Sequence, residues 1–231
     1  MSGVAENLEA VRQRIARACA RAGRSPDEVT LVAVSKLQPA SLIEEAVRAG
    51  QRDFGENYAQ ELRDKAAALA GLEGLRWHAI GPLQTNKAKY VAPVAHAFHA
   101  LDRVEIAREL ARRRRGAPPL KVFLEVNVGG EATKNGVTPE EAPALLEKVR
   151  ALPELEVVGL MTLPPPAADP DEARPHFRRL AALARALGLR ELSMGTTADF
   201  EVAIEEGATV VRVGTAIFGE RPKKAGAVTA P

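Results

Sequence analysis

Short apolar runs alternate along the chain with longer segments of helical period. Strands are predicted at 30–36 (TLVAVSK), 53–57 (DFGEN), 76–80 (RWHAI), 97–102 (AFHALD), 121–128 (KVFLEVNV), 156–163 (EVVGLMTL), 191–196 (ELSMGT) and 209–214 (TVVRVG). Amphipathic stretches such as SLIEEAVRAG, VEIARELARRRR and PEEAPALLEKVR lie between them. Several of the short runs are apolar at nearly every position, the pattern of strands buried on both faces of a parallel sheet. Eight β-then-α units in 231 residues predict one domain over 1–231, an α/β fold of the single (β/α)8 TIM-barrel kind with an extra N-terminal helix over 4–22. An open, doubly wound sheet is the alternative. It is disfavoured because SKLQPAS follows the first strand, where a glycine-rich dinucleotide loop would stand. The segment 163–175, LPPPAADPDEARP, reads as a mobile loop, and no linker divides the chain.

Composition narrows the function classes. With 46% hydrophobic and 27% charged residues, the chain has the balance of a globular domain, which excludes a disordered or collagen-like polymer. A net charge of +2 does not call for nucleic acid as a partner, and the RRRR run at 112–115 reads as a solvated helix end. No stretch is apolar for the length a membrane span needs, and the charged N-terminus does not read as an export signal. A single cysteine, Cys19, cannot form an internal disulfide, so a reducing, cytoplasmic location is expected. His96 and His99, three apart with no further ligand nearby, are not expected to bind a metal.

In a barrel the chemistry gathers at the C-terminal ends of the strands, which selects Lys36, Asn57, His78, Asn127, Thr162, Thr197, Arg212, Gly214 and Thr215. Lys36 closes the first run among apolar neighbours; an amine desolvated there becomes a nucleophile towards aldehydes, and a rim lysine in an ion pair is the competing reading. Gly214 and Thr215 follow the last strand, where backbone N–H groups can cradle a phosphate. Arg212 lies two residues earlier and so faces the same way. Thr196 and Thr197 follow strand seven, and Asp199 reads as a cap of the next helix. Lys134, in EATKNG, is an exposed loop lysine at the same end of the barrel.

The segments AVSKLQPASLIEEAVRAGQRDFGENYAQEL, WHAIGPLQTNK, GLMTL and LSMGTTADFEVAIEEGATVVRVGTAIFGER, in this order over 31–221, resemble the pyridoxal phosphate (PLP) homeostasis family. That family is similar to the barrel domain of alanine racemase, the fold type III group, without the racemase's second domain. The resemblance implies that Lys36 holds PLP as an aldimine and that Arg212 lies against the pyridine nitrogen. It implies that Thr197, Gly214 and Thr215 hold the 5′-phosphate, and it adds Ser193, Asn57 and His78 to the cofactor-binding residues. Where the family motif reads Ser-Met-Gly-Met-Ser, this chain has Ser193, Met194, Gly195, Thr196 and Thr197; a hydroxyl is kept at 197, and Thr196 replaces a methionine.

The function implied is intracellular PLP homeostasis by a monomeric carrier or regulator, with PLP-dependent apoenzymes as recipients and no efficient catalysis. An amino-acid racemase using the same site and a Schiff-base aldolase remain open beside it. Racemisation needs a second base on the opposite face of the cofactor, and the chain's tyrosines, Tyr58 and Tyr90, do not end predicted strands.

Overall fold

The structure, a computed structural model, describes residues 3–131 and 133–220. Among these residues eight parallel strands close into one barrel in sequence order. Helix α1 (Val4–Arg21) precedes β1 (Thr30–Val34), α2 (Ala40–Arg48), β2 (Asp53–Glu56), α3 (Ala59–Ala68) and β3 (Arg76–Ala79). The chain continues through α4 (Ala88–Val91), β4 (Ala97–Leu101), α5 (Val104–Arg114), β5 (Leu120–Glu125), α6 (Ala142–Arg150) and β6 (Leu155–Met161). It then forms α7 (Arg174–Ala186), β7 (Glu191–Ser193), α8 (Phe200–Glu205), β8 (Val210–Val213) and α9 (Thr215–Phe218). The barrel closes where β1 pairs with β8, with Val32 opposite Arg212.

Period-two alternation gives each strand an outer face towards the helices and an inner face towards the barrel axis. Phe54 and Trp77 pack outward as a tilted pair with ring centroids 5.8 Å apart, while Gly55 faces inward, where an added Cβ would lie 2.9 Å from a Val32 methyl. Helix α1 is the additional element. Its buried positions Leu8, Val11, Ile15 and Ala18 follow helical spacing, and ion pairs Arg14–Glu201 at 2.8 Å and Arg21–Glu205 at 2.7 Å tie it to α8. Cys19 lies on its buried side as a free thiol. No helix among the described residues is long and apolar enough to cross a membrane.

The strands end earlier than the hydrophobic runs suggest. Residues 35–36 leave β1 as a turn, 126–128 leave β5, and 194–196 leave β7. The 163–175 segment is shorter as a loop than read from sequence, because a 3-10 turn at Pro170–Ala173 leads directly into α7. Asp169 caps that turn by accepting from the Asp171 N–H at 3.0 Å.

Candidate functional site

At the C-terminal mouth of the barrel lies a pocket of about 370 Å³, within the ~300–1,000 Å³ range of small-molecule sites. Lys36, Asn57, Glu125, Thr197, Arg212, Gly214 and Thr215 all line it. The turn that presents Lys36 is locked from behind. Lys65 on α3 donates to the Ser35 carbonyl at 2.6 Å, to Glu56 Oε1 at 2.7 Å and to Glu61 Oε1 at 2.7 Å. The Ser35 hydroxyl donates to Glu56 Oε1 at 2.6 Å, and the Leu37 N–H to Glu61 Oε1 at 2.6 Å. These contacts hold Leu37 at φ 62°, a left-handed conformation that costs a leucine ~1–3 kcal/mol and persists only where its surroundings impose it. Burial raises the Glu56 carboxyl and the Lys65 ammonium opposes it.

Across the mouth, two turns supply uncharged donors. The first needs Gly195: its φ is 92°, and a Cβ there would lie 2.6 Å from that of Ala203. Thr196 donates to Asp199 Oδ1 from its N–H at 2.6 Å and from its hydroxyl at 2.9 Å. This assigns Thr196 a structural task and corrects the sequence expectation for Asp199, which occupies the N-cap position of α8 but makes no side-chain cap. The Thr197 hydroxyl accepts from the Gly214 N–H at 3.3 Å, so these two residues and Thr215, the first residue of α9, form one cluster of hydroxyl and N–H groups.

The floor is charged. Arg212 is buried, donates to Ser193 Oγ, and donates from Nη2 to the Thr162 carbonyl at 2.9 Å. Burial draws its guanidinium down to about 10, with Glu125 and Asp199 opposing. Glu125, at the end of β5, is 6% exposed, and its Oε2 has no hydrogen-bond partner. Burial, reinforced by Asp102 and opposed by Arg212, pushes its carboxyl up to about 7. The strand-end rule did not select Glu125, although a charged residue inside the apolar run KVFLEVNV is a visible signal.

Two residues expected beside the ligand lie elsewhere. His78 is not in this pocket. It lines a second cavity of about 330 Å³ at the opposite mouth, with Asp53, Arg76, His96 and Lys121, because β3 presents it one layer below the strand end, opposite Gly55. Ser193 is fully buried beneath the pocket and reaches it only through Arg212. Asn127 turns away from the floor: its amide donates to the Glu131 carbonyl at 2.7 Å and its Oδ1 accepts from the Gly130 N–H at 3.0 Å. Lys134 pairs loosely with Glu131 at 3.7 Å and borders a separate surface depression. No group of three or more His, Cys, Asp or Glu among the described residues is placed to hold a metal ion.

The family model for the alanine racemase N-terminal domain matches residues 7–222. The chain is 50% identical to the pyridoxal phosphate homeostasis protein of Pseudomonas aeruginosa over 224 residues, covering 96% of this chain and 97% of that protein. The chain belongs to the pyridoxal phosphate homeostasis protein family. Its relative of the same name from Escherichia coli K12 is 44% identical over 229 residues, covering 96% of this chain and 98% of that one. PipY of Synechococcus elongatus, solved with PLP bound, superposes with a TM-score of 0.80 at 34% identity, covering 94% of this chain and 100% of PipY. The alanine racemase of Corynebacterium glutamicum shares the fold, with a TM-score of 0.64 at 21% identity over 62% of its own length.

The residues of the upper mouth fit the group this family implies. An amine-bearing turn suits an aldehyde, and uncharged donors at a helix start suit a phosphate dianion. A buried guanidinium and an orphaned carboxyl oxygen on the floor are polar groups that a polar heterocycle can meet.

Proposed function

We propose that the protein binds pyridoxal 5′-phosphate in the upper pocket and serves PLP homeostasis as a carrier or regulator without efficient catalysis. The observation that carries this reading is one pocket in which the lysine of the β1–α2 turn meets a cluster of uncharged donors over a buried arginine. PipY, solved with PLP bound, and the homeostasis proteins named above support the ligand and the role.

Bound PLP supplies an aldehyde that condenses with primary amines and a ring that draws electrons. The chain decides how much of that chemistry is used. Lys36 presents its amine on a turn fixed by Lys65 and Glu61. The Thr197 hydroxyl and the N–H groups of Gly214 and Thr215 would hold the phosphate without a dedicated cation. Arg212, the buried cation on the pocket floor, would keep a proton off the ring nitrogen by like-charge repulsion and so weaken the ring as an electron sink. Binding without rapid turnover follows, and the racemase alternative is not favoured. An aldolase acting directly on a sugar phosphate has no support from the relatives.

Attachment through Lys36, a monomeric state, a cytoplasmic location and delivery to PLP-dependent apoenzymes belong to the same proposal; the buried free thiol of Cys19 suits a reducing compartment. The test is to load the purified protein with PLP, reduce with borohydride and map the pyridoxyl group. It is expected on Lys36, and Lys36→Ala should lose the visible absorbance band while still melting cooperatively. Label mainly on another lysine overturns the attachment, and turnover of common amino acids at ~1 per second or more overturns the carrier role.

A further inference from the structure

A line of polar side chains crosses the barrel interior from the lower mouth to the floor of the upper pocket. Asp53 Oδ1 lies 3.0 Å from His78 Nε2, His78 Nδ1 lies 2.9 Å from His99 Nε2, and His99 Nδ1 lies 2.8 Å from Ser193 Oγ. Ser193 Oγ in turn receives Arg212 Nη1. At the lower end Arg76 clamps Asp53 with both nitrogens of its fork, at 2.7 Å and 2.5 Å. Asp53, His78, His99, Ser193 and Arg212 are all buried, and His99 stacks on Phe123 with ring centroids 4.4 Å apart.

The donor inventory fixes the direction of this line. A guanidinium only donates, so Ser193 Oγ accepts from Arg212. The single hydroxyl proton of Ser193 then finds its acceptor at His99 Nδ1. His99 carries its proton on Nε2 and donates to His78 Nδ1, and His78 donates from Nε2 to Asp53. No other assignment leaves the Ser193 hydroxyl proton and the ring proton of each neutral imidazole with an acceptor in the line. The sequence is a cation, three neutral-capable links and an anion, all donating one way, an arrangement in which each bond polarises the next. Full burial, with the positive charge of Arg212 nearby, holds His99 well below the usual imidazole range, which matches a neutral link. Burial opposes ionisation of Asp53, but hydrogen bonds from Arg76 and His78 outweigh it and hold the carboxyl at about 2.

We propose that Asp53, His78 and His99 are positioning residues for Arg212, acting through Ser193 to fix the guanidinium that faces the ligand. This deepens the PLP reading of the upper pocket and rests on it. Arg212 donates to a hydroxyl and a carbonyl, neither of which holds a guanidinium in one orientation as a carboxylate fork does. The far carboxylate supplies that polarity along the line.

Two measurements test it. In the cofactor-free protein, long-range nitrogen–proton NMR of the imidazoles should show His78 and His99 in the Nε2–H form; an Nδ1–H form of either ring, or a doubly protonated His78 at neutral pH, overturns the direction. In PLP titrations, Ser193→Ala and Asp53→Leu should each weaken binding ~3–10-fold, and the double variant should bind no worse than the weaker single, because both cut one line. Losses that multiply, or no loss in Asp53→Leu, overturn the coupling. Thermal melts establish that each variant folds, and His99→Phe, which keeps the stack on Phe123, replaces Ser193→Ala if that protein does not. Failure of the wild type to bind PLP would defeat the reading of the pocket while the NMR result still decides the line.

Discussion

Replacing Glu125 with glutamine measures what an acid on the pocket floor costs the fold. Burial, with Asp102 reinforcing it and Arg212 opposing, moves this carboxyl from 4.5 to about 7. At 1.36 kcal/mol per pK unit, the difference amounts to about 3 kcal/mol. The folded chain binds this proton more tightly than the unfolded chain, so the associated stability is fully present below about pH 4.5 and lost as pH rises through about 7. Glutamine keeps the shape and cannot ionise. Near pH 5 the two proteins should therefore unfold with similar free energies, and near pH 8 the variant should be the more stable by ~2–3 kcal/mol. For a chain of this length 1 kcal/mol corresponds to ~2–4 °C, so the melting temperatures should separate by ~4–12 °C at the alkaline end. Urea and thermal melts of cofactor-free protein, taken at several pH values between these limits, give the comparison. A difference between the two proteins that is constant across the series refutes the reasoning, as does a variant less stable near pH 8.

Thr197→Val should weaken PLP binding by ~10-fold or more, since a hydrogen bond to a charged group contributes ~1.5–3 kcal/mol, and should leave pyridoxal, which lacks the phosphate, nearly unaffected; equal losses for both ligands, read by fluorescence titration, would exclude a phosphate contact there. Lys65→Met should cost ~3–5 kcal/mol by leaving the buried carboxylate of Glu56 unpaired, seen as a lower urea midpoint; an unchanged midpoint would show that the Lys36 turn does not depend on this ion pair.

The barrel was legible because its strands are short runs buried on both faces and mostly apolar, and α1 has a clean helical stripe; these are local patterns that burial rewards directly. The ends of the strands were not legible. Val34 is the last residue of β1 because Lys65 and Glu61 on α3 capture the Ser35 carbonyl and the Leu37 N–H, and nothing between 30 and 40 announces partners more than twenty residues away. His78 was misplaced for a related reason. A strand-end rule locates a residue along the chain, whereas the layer it occupies depends on register with the neighbouring strand, here Gly55 opposite His78. His99 and Glu125 went unselected because they sit inside apolar runs, where a single polar residue looks like an interruption. In strands buried on both faces, such an interruption is itself the signal: it must either find partners in the barrel interior or remain unsatisfied.

The two faces of the strands divide the work of this protein. In a barrel whose interior served packing alone, inward layers would be branched aliphatics. Here the inward positions of β2, β3, β4, β7 and β8 carry Asp53, His78, His99, Ser193 and Arg212, each buried and hydrogen-bonded. The alternating outward positions carry Phe54, Trp77, Phe98, Leu124 and Val211, buried against the helices. Hydrophobic stabilisation therefore resides in the sheet–helix layer, while the axis is given over to hydrogen-bonded polar groups that contribute little net stability but hold a guanidinium where solvent cannot reorient it. Substitutions within these strands should separate accordingly. Outward truncations lower stability and spare ligand affinity at a temperature where the protein is folded, whereas inward ones act on affinity through Arg212 even when the fold is retained.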